Sequence, residues 1–387
     1  MAKLGVMRFT EETQADRAAR LHALAAFATA DSATLLMQLR DDDFAWCAGG
    51  IGKSGSSLAG LLAERDGATA IPVCFRLDYD LTSRYYWQPK WMVELHGHHL
   101  EFFGDVPFDS VSEECEFEPN EFQPLEADAF PIQRWNVAVS RIKHCIAQDM
   151  LRKAVLSRQV SLFCAEPWQV EGILAALLAG SSGTTVFAHT MNDRKLWLGA
   201  SPEVLFQREG RKILVDSLAG TKQTILESNS FSAKDREEQA VVTEFLRRAL
   251  EPLCVHVSVS PLSERKADDL VHVYSQVHGV LRDDVNDDDI LTALHPTPAV
   301  CGSPRDAAAA LLEELEPMPR DLYSGVLGFS NGHQTTAIVV LRCAQVSGRK
   351  ARLFGGAGIV AESNAELEYA ECGWKMDIMR RALMDLP

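Results

Sequence analysis

The segment LFGGAGIVAESNAELEYAECGWK, residues 353–375, joins the last predicted strand to the last predicted helix. The apolar run over 351–360 predicts a buried strand, and the periodicity over 364–386 predicts a helix. Three glycines, Gly355, Gly356 and Gly358, would let backbone N–H groups of the strand approach an anion closely. A bulge or a tight turn also uses glycine, so these glycines alone do not identify a binding site.

The last predicted helix carries three charged residues on one face. Glu368, Glu371 and Lys375 are spaced i, i+3 and i+7, and they lie beside the apolar stripe rather than opposite it. One interpretation is a surface Glu–Lys pair at ordinary helical spacing. The other is a partly buried pair of carboxylates that needs a cation. The apolar stripe consists of Tyr369, Cys372, Met376, Met379 and Leu383.

A second predicted helix, 234–250, also places a carboxylate among apolar residues. Glu238 shares a face with Val242, Phe245 and Ala249. A carboxylate on an apolar face is costly unless it is paired or binds a metal. Two helices with glutamates on or beside their core faces therefore suggest a shared cation site. Ligands that are all oxygen atoms favour Mg²⁺ or Ca²⁺ over zinc.

Three further residues are candidates for chemistry. Arg342 closes an apolar run, predicted as a strand over 335–346, and a buried guanidinium needs a carboxylate or phosphate partner. Arg342 could equally form a structural salt bridge within the protein and bind no ligand. Lys153 lies among apolar neighbours in KAVLSR and could act as a base, whereas Glu203 follows a proline in GASPEVL and could act as an acid.

The remaining patterns indicate an α+β fold, because strands and helices are mixed without regular βαβ alternation. We predict a turn at Glu209-Gly210 between two strands, a solvated loop over 101–130, which has no Lys or Arg, and an exposed acidic loop over 283–289. The other predicted helices are 136–158 and 305–316, and the other predicted strands are 195–206 and 212–218.

Composition excludes several classes of protein. A net charge of −16, from 38 basic and 54 acidic residues, argues against nucleic-acid binding. Nine cysteines without a C-x-x-C pair favour reduced thiols over a disulfide framework or a zinc site. Because we find no apolar run long enough to span a bilayer and no secretory signal, we expect a cytoplasmic protein without membrane contact. We expect a monomer, since no long amphipathic seam suggests pairing.

A nucleotide-binding loop is a weak alternative. The segment CAGGIGKSGSS, which starts at Cys47, contains Gly52-Lys53-Ser54, but Cys47 occupies the position of the first glycine of a P-loop. We also see no clear strand before it.

Taken together, the segments above resemble the chorismate-binding enzyme family, which includes isochorismate, salicylate, anthranilate and aminodeoxychorismate synthases. The resemblance covers about 135–387 and rests on many motifs in family order. It implies one domain over 1–387, in which 1–130 is a divergent N-terminal part and 135–387 is the catalytic core, with large antiparallel sheets and outer helices. The motifs are KAVLSR, LGASPEVL, LAGT, KDREEQAVV, LVHVYSQVHGVL, LHPTPAVCGSP, RDLYSGVLGF, LRCA and the opening segment.

The resemblance implies a Mg²⁺ site. Glu238 and Glu371 match the metal ligands of the family, and Glu368 matches a carboxylate that reaches the metal through water. The metal would hold the ring carboxylate of chorismate, the implied substrate.

The resemblance also implies how the substrate is held. Arg342 and Lys375 match the cations that bind the enolpyruvyl carboxylate, together with the backbone of Gly356. Gly220 in LAGT matches a backbone contact near the ring carboxylate. His272 matches a histidine that lines the pocket, although a histidine packed in the core is an equally good interpretation.

Two residues favour an isochorismate synthase within the family. Lys153 matches the base that activates water, and Ala299 in HPTPAV stands where amine-using and salicylate-forming relatives tend to carry Thr. Lys153 would take a proton from water attacking C2, and Glu203 would protonate the departing C4 hydroxyl. A salicylate synthase, an aminodeoxychorismate synthase and a non-catalytic anion-binding module on the same fold remain alternatives.

Overall fold

The structure is a computed structural model of the chain. It describes residues 3–8, 23–29, 33–39, 44–64, 71–80, 83–96, 99–107, 124–191, 195–223, 231 and 233–384.

The described residues form eight helices and twenty-two strands. The helices are α1 (23–29), α2 (Leu58–Ala63), α3 (Ile132–Ala147), α4 (Val170–Gly180), α5 (Ala233–Leu250), α6 (Asp287–Leu294), α7 (Arg305–Leu315) and α8 (Ala365–Met384). The strands are β1 (Lys3–Arg8), β2 (Ala33–Gln38), β3 (Phe44–Gly49), β4 (Lys53–Gly55), β5 (Val73–Leu77), β6 (Arg84–Gln88), β7 (Trp91–His96), β8 (His99–Gly104), β9 (Leu125–Asp128), β10 (Lys153–Phe163), β11 (Thr185–Met191), β12 (Leu196–Ser201), β13 (Val204–Glu209), β14 (Lys212–Gln223), β15 (Cys254–Val259), β16 (Ser263–Ala267), β17 (Leu270–Leu281), β18 (Gly302–Ser303), β19 (Val326–Ser330), β20 (Gln334–Val339), β21 (Cys343–Ser347) and β22 (Lys350–Ile359).

The strands form two large sheets. The larger sheet has twelve strands in the order β1-β8-β7-β3-β2-β11-β12-β21-β22-β10-β18, with β9 also paired to β10. The smaller sheet has ten strands in the order β15-β17-β14-β13-β20-β19-β5-β6-β4, with β16 also paired to β17. The recorded strand pairs are antiparallel, as in β10 with β22 and β14 with β17. The α+β prediction with large antiparallel sheets is confirmed.

Three apolar clusters show how the layers pack. One contains side chains of both sheets, such as Trp197 of the larger sheet and Ile338 of the smaller one, so the sheets pack face to face. A second joins the larger sheet to α1, α3, α4, α7 and α8, and the third joins the smaller sheet to α2, α5 and α6. Helices therefore cover the outer face of each sheet.

Two chain segments pass from one sheet to the other, and we call them the crossings. One is 202–203, between β12 and β13, and the other is 340–342, between β20 and β21. The predicted strand 195–206 is in fact β12 of the larger sheet and β13 of the smaller one, separated at Pro202-Glu203. The predicted strand 335–346 likewise divides into β20 and β21, and Arg342 between them has a φ of +49°. The predictions were wrong there because an apolar run does not reveal a change of sheet.

The predicted helix 136–158 is also wrong in its second half. Helix α3 ends at Ala147, and Asp149 has a φ of +55°, outside helical geometry. From Lys153 the chain forms β10, whose residues 154–163 pair continuously with β22. Ladder pairing with β22 overrides the local helical pattern, so Lys153 lies on a strand and not on a helix.

The two acidic segments are more ordered than predicted. Within 101–130, β8 and β9 form strands, while 108–123 lie outside the described residues. Within 283–289, the last three residues start α6, and Asn286 and Asp289 form a capping box. Asp287 is buried there and accepts hydrogen bonds from Arg208 and from Thr335 Oγ1 at 2.7 Å. The acidic run thus anchors α6 to the smaller sheet.

The other element predictions agree with the structure. Helices α5 and α7 and the described part of α8 match the predicted segments to within one residue, and the strand 212–218 lies inside β14. The turn at Glu209-Gly210 is present, with a φ of +56° at Gly210. The described helices include none that is both long and apolar enough to cross a membrane.

The buried pair of Asp287 and Arg208 generates a stability prediction. Asp287→Ala leaves the Arg208 guanidinium without its carboxylate, whose Oδ1 lies 2.6 Å from Nε. Breaking a buried ion pair costs about 3–5 kcal/mol, so we expect a loss of about 3 kcal/mol in the free energy of unfolding by denaturant titration. The exposed Asp284→Ala is the matched control and should change it by less than about 0.5 kcal/mol. Equal stability of the two variants would contradict a structural role for Asp287.

Candidate active site

A cleft of about 600 Å³, which includes its open mouth, lies where the two crossings meet β14 and β22. It brings together residues from all parts of the predicted core. Polar and charged side chains share its wall with glycines and a few apolar residues. Predicted site residues in the lining are Glu203, Gly220, Glu238, His272, Ala299, Arg342, Gly356 and Lys375.

Lys153 and Glu238 form an ion pair beside this cleft: Glu238 lines it, whereas Lys153 is not part of the lining. Lys153, the first residue of β10, is fully buried, and its Nζ lies 2.9 Å from Oε1 of Glu238 on α5. Gly358 on β22 makes room for the pair, because a Cβ there would overlap with Glu238 Oε1 and would lie 2.8 Å from Lys153 Cε. A buried charge of this kind is tolerated only with such a partner.

Lys375 and Glu371 form a second pair on α8. Lys375 Nζ lies 2.6 Å from Glu371 Oε1 and donates a hydrogen bond of 2.8 Å to the carbonyl oxygen of Gly356. The predicted Glu–Lys pair at i, i+4 is therefore present, but it is not a surface pair, because both side chains are mostly buried. Glu368 is buried in the first turn of α8 and does not line the cleft.

The three glutamates have the right donor chemistry for a hard divalent cation, since all their ligand atoms are carboxylate oxygens. Glu238 packs over Gly358 of β22, and Lys375, which pairs with Glu371, donates to the backbone carbonyl of Gly356 two positions away. In this structure each of the two carboxylates faces a lysine. Within the described ranges, no group of three or more His, Cys, Asp or Glu side chains is arranged closely enough to hold a metal.

Arg342 is a buried cation in the crossing between β20 and β21. It has no carboxylate within salt-bridge distance in the described part of the chain, and its Nη1 is buried without a hydrogen-bond partner there. Burial lowers the pKa of Arg342 to about 10, which Asp268 and Glu371 partly oppose, and the guanidinium remains charged at neutral pH. A buried guanidinium with an unused donor is suited to an anionic ligand.

His272 on β17 supports Arg342. Its Nε2 lies 3.1 Å from Nη2 of Arg342, and its Nδ1 lies 3.2 Å from Thr221 Oγ1. Because a guanidinium only donates, Nε2 accepts and the proton belongs on Nδ1. Burial, with help from Arg342 and Lys375, holds the pKa of His272 well below its ordinary value. The histidine is both packed in the interior and part of the cleft wall, so the two interpretations of the sequence apply together.

Glu203 lies at the crossing from β12 to β13 and is almost fully buried. The pKa of its carboxyl is raised to about 8, chiefly by burial and then by the negative charge of Asp216, against the opposing effect of Lys153 and Lys375. A carboxyl with this pKa is largely protonated at neutral pH and can donate a proton.

Gly220 and Ala299 shape the remaining walls. Gly220 has a φ of +65° and interrupts the register between β14 and β17, and a Cβ there would lie 2.9 Å from the Cβ of Asp235. Ala299 is partly buried, and its N–H donates to Thr297 Oγ1 at 3.2 Å. Its small side chain leaves space in the cleft that a larger residue would fill.

Sequence reasoning missed four residues that build this site. Gly358 and Tyr323 both line the cleft, and neither was predicted as a site residue. Asp216 acts on Glu203 from β14, and Arg320 donates hydrogen bonds of 2.6 Å to the carbonyl oxygens of both Val155 and Val300. Gly358 had a signal in its spacing from Gly356, whereas the other three had none.

Comparison with known proteins agrees with this geometry. The sequence profile described as chorismate binding enzyme matches residues 106–384, which is most of the chain. Enzymes of that family are generally metal-dependent. The isochorismate synthase DhbC of Bacillus subtilis is 36% identical over 257 residues, or 62% of this chain and 64% of that protein. The vibriobactin-specific isochorismate synthase of Vibrio cholerae is 29% identical over 63% of this chain and 65% of that protein.

The matches therefore span just under two thirds of the length of these two relatives. A solved structure, the menaquinone-specific isochorismate synthase MenF of Escherichia coli, superposes with a TM-score of 0.84 over 98% of this chain and 94% of the other. Its sequence identity is 22%, so this likeness establishes the fold. The family profile matches most of this chain, and the fold is that of the superposed structure. This chain therefore belongs to the chorismate-binding enzyme family.

Proposed function

We propose that this protein is an isochorismate synthase, which converts chorismate to isochorismate. The observation that carries the proposal is an acid with a raised pKa, Glu203, in the lining of the cleft, near a fully buried lysine, Lys153, whose charge acts on Glu203 and whose Nζ contacts the cleft residue Glu238. An exchange of water for a hydroxyl group needs both an acid and a base, and these two groups supply them. The isochorismate synthases among the relatives support the same activity.

The charges of the cleft suit a substrate with two carboxylates. Arg342 has an unused donor on Nη1, and Lys375, which also lines the cleft, donates to the carbonyl of Gly356. Together they would bind the enolpyruvyl carboxylate of chorismate. A buried carboxylate is stabilised when two cations face it, and the same contacts orient the ring.

Mg²⁺ is the metal that we propose for this enzyme. Glu238 and Glu371 would hold the ion, and Glu368 would contact it through water. When bound, it would offset the charge of the ring carboxylate, and its all-oxygen ligands favour a hard cation. Glu238 and Glu371 would then exchange their contacts with Lys153 and Lys375 for contacts with the metal.

The proton transfers follow from the positions of the acid and the base. In its neutral amine form, Lys153 would take a proton from a water molecule as the water oxygen bonds to C2 of the ring. The double bonds shift, the C4–O bond breaks, and Glu203 would protonate the departing hydroxyl group as water. One water molecule enters and one leaves, so the net reaction is an isomerisation.

Other reactions of the family remain the alternatives. A salicylate synthase would also eliminate pyruvate, and an aminodeoxychorismate synthase would use ammonia in place of water. Ala299 favours isochorismate, because relatives with those other reactions tend to carry Thr at this point. A non-catalytic anion-binding module would have no chemical need for both an acid, Glu203, and a base, Lys153, at the same site.

The decisive experiment is product analysis. Purified protein is incubated with chorismate and Mg²⁺ without ammonia, and the products are identified by chromatography and NMR. We expect a mixture of chorismate and isochorismate, with no reaction in EDTA and a loss of about 10²–10⁴-fold in kcat for Lys153→Ala and for Glu203→Gln. Salicylate with pyruvate, or turnover only with ammonia, would instead assign one of the alternative activities. No turnover under any condition would support the binding module.

Gly358 provides a prediction about positioning. In Gly358→Ala the new Cβ would displace the ends of two side chains, Glu238 and Lys153. We therefore expect about a 100-fold lower kcat, because the base is misplaced, together with a lower midpoint of thermal unfolding, because the buried ion pair is disturbed; activity is measured at a temperature at which the variant is folded.

Gly373→Ala on α8 is the matched control. A Cβ at Gly373 meets nothing within 4 Å, and alanine favours the helix by roughly 1 kcal/mol, so the variant should keep full activity and unfold at a slightly higher temperature. Wild-type activity in Gly358→Ala would show that the contact between Lys153 and Glu238 is dispensable.

A further inference from the structure

Asp216 is a buried carboxylate on β14 that lies outside the cleft lining but close to the crossing that carries Glu203. Its Oδ2 accepts a hydrogen bond of 3.3 Å from the backbone N–H of Val204, the residue after Glu203. The contact ties β14 to the point where the chain enters the smaller sheet. The backbone on the C-terminal side of Glu203 is therefore held by a side chain as well as by strand pairing.

Asp216 is surrounded by hydrogen-bond donors. Tyr274 O–H donates to Oδ1 at 2.8 Å, Arg265 Nη1 lies 3.3 Å from Oδ2, and Gln276 Nε2 lies 3.5 Å from Oδ1. Arg265 also stacks over the ring of Tyr274, which fixes both groups in place. The guanidinium, the amide nitrogens and the backbone N–H can only donate, and both oxygens of Asp216 accept, as a carboxylate does.

We propose that Asp216 is a positioning residue for Glu203: it anchors the crossing segment and places a fixed negative charge behind the acid. This inference rests on the proposed function of Glu203 as the proton donor. Asp216 would not touch the substrate. Its effect would be exerted on the protonation and the orientation of the Glu203 carboxyl.

The charges around Glu203 agree with this role. Asp216 faces it from β14, Lys153 from β10 and Lys375 from α8, and the two lysines favour the ionised form. The pKa of Glu203 is nevertheless raised to about 8, by burial and then by Asp216. Without Asp216, one of the two effects that oppose the lysines would be lost, and the pKa of Glu203 would fall toward its ordinary value.

Asp216→Asn tests the proposal, because asparagine keeps the size of the side chain and removes its charge. The quantity to measure is the ratio of kcat/KM for the variant to that for the wild type between pH 5.5 and pH 9.5. At the low end of this range, below the pKa of Glu203 in both enzymes, both carry the protonated acid, so we expect a ratio near one. Above pH 8 we expect about one tenth, which corresponds to a shift of roughly one pH unit. Other ionisable groups, including Lys153, affect both enzymes alike and largely cancel in the ratio.

Arg265→Gln is the opposing variant. It removes the positive charge beside Asp216 and leaves Asp216 and Glu203 in place, so the midpoint for ionisation of Glu203 should move to higher pH. If Asp216→Asn does not fold, Arg265→Gln still tests the proposal through the sign of this shift. A ratio that is lower by the same factor at every pH, with no shift in either variant, would reduce Asp216 to a structural residue and overturn the proposal.

Infrared difference spectroscopy separates this inference from the proposed function. The C=O band of a protonated carboxyl, assigned to Glu203 by its loss in Glu203→Gln, is followed with pH in protein without substrate. We expect its midpoint to fall in Asp216→Asn and to rise in Arg265→Gln, whatever reaction the enzyme performs. An unmoved midpoint contradicts the role of Asp216, whereas moved midpoints with no isochorismate in the product analysis contradict only the proposed reaction.

Discussion

The hydrogen bonds between the two chain crossings are the constraint on which the site depends. Ser201 Oγ donates to the carbonyl of Val339 at 2.6 Å, and the N–H of Val339 donates to the carbonyl of Glu203 at 3.1 Å. The N–H of Ala200 donates to the carbonyl of Arg342 at 3.1 Å. Backbone groups that leave one sheet before they join the other must be paired elsewhere, and the two crossings pair with each other. Each crossing therefore fixes one ionisable residue, Glu203 or Arg342, at the cleft between the sheets.

The second requirement is close packing of helices against β22. A Cβ at Gly355 would lie 2.5 Å from the carbonyl oxygen of Cys372 on α8, and Gly358 makes room for the pair of Glu238 and Lys153. The glycines bring the helices near enough for their carboxylates to reach lysines at the cleft. Ion pairs in such a setting are stabilised by the absence of competing water, and they hold charges in position for a ligand.

The electrostatics of the site explain why one carboxyl differs from the others. Glu238 and Glu371 each face a lysine at hydrogen-bonding distance, whereas Glu203 is buried near another carboxylate. A protonated carboxyl group, Glu203, can therefore lie in the same site as carboxylates that are paired with lysines. This division of roles comes from the different surroundings of chemically identical side chains.

The sequence alone predicted the family, the α+β class and most of the charged residues that line the cleft. The order of motifs predicted the family, and helical periodicity predicted α5, α7 and α8, because these helices bury one face and expose the other. The sequence did not reveal that β12 and β13, or β20 and β21, belong to different sheets, since a strand with both faces buried shows no period from which its neighbours can be inferred. The start of β10 was assigned to a helix for a similar reason, because long-range pairing with β22 outweighs local preference. The roles of Gly358 and Asp216 were likewise decided only in three dimensions, since each depends on side chains that are distant in sequence and adjacent in the fold.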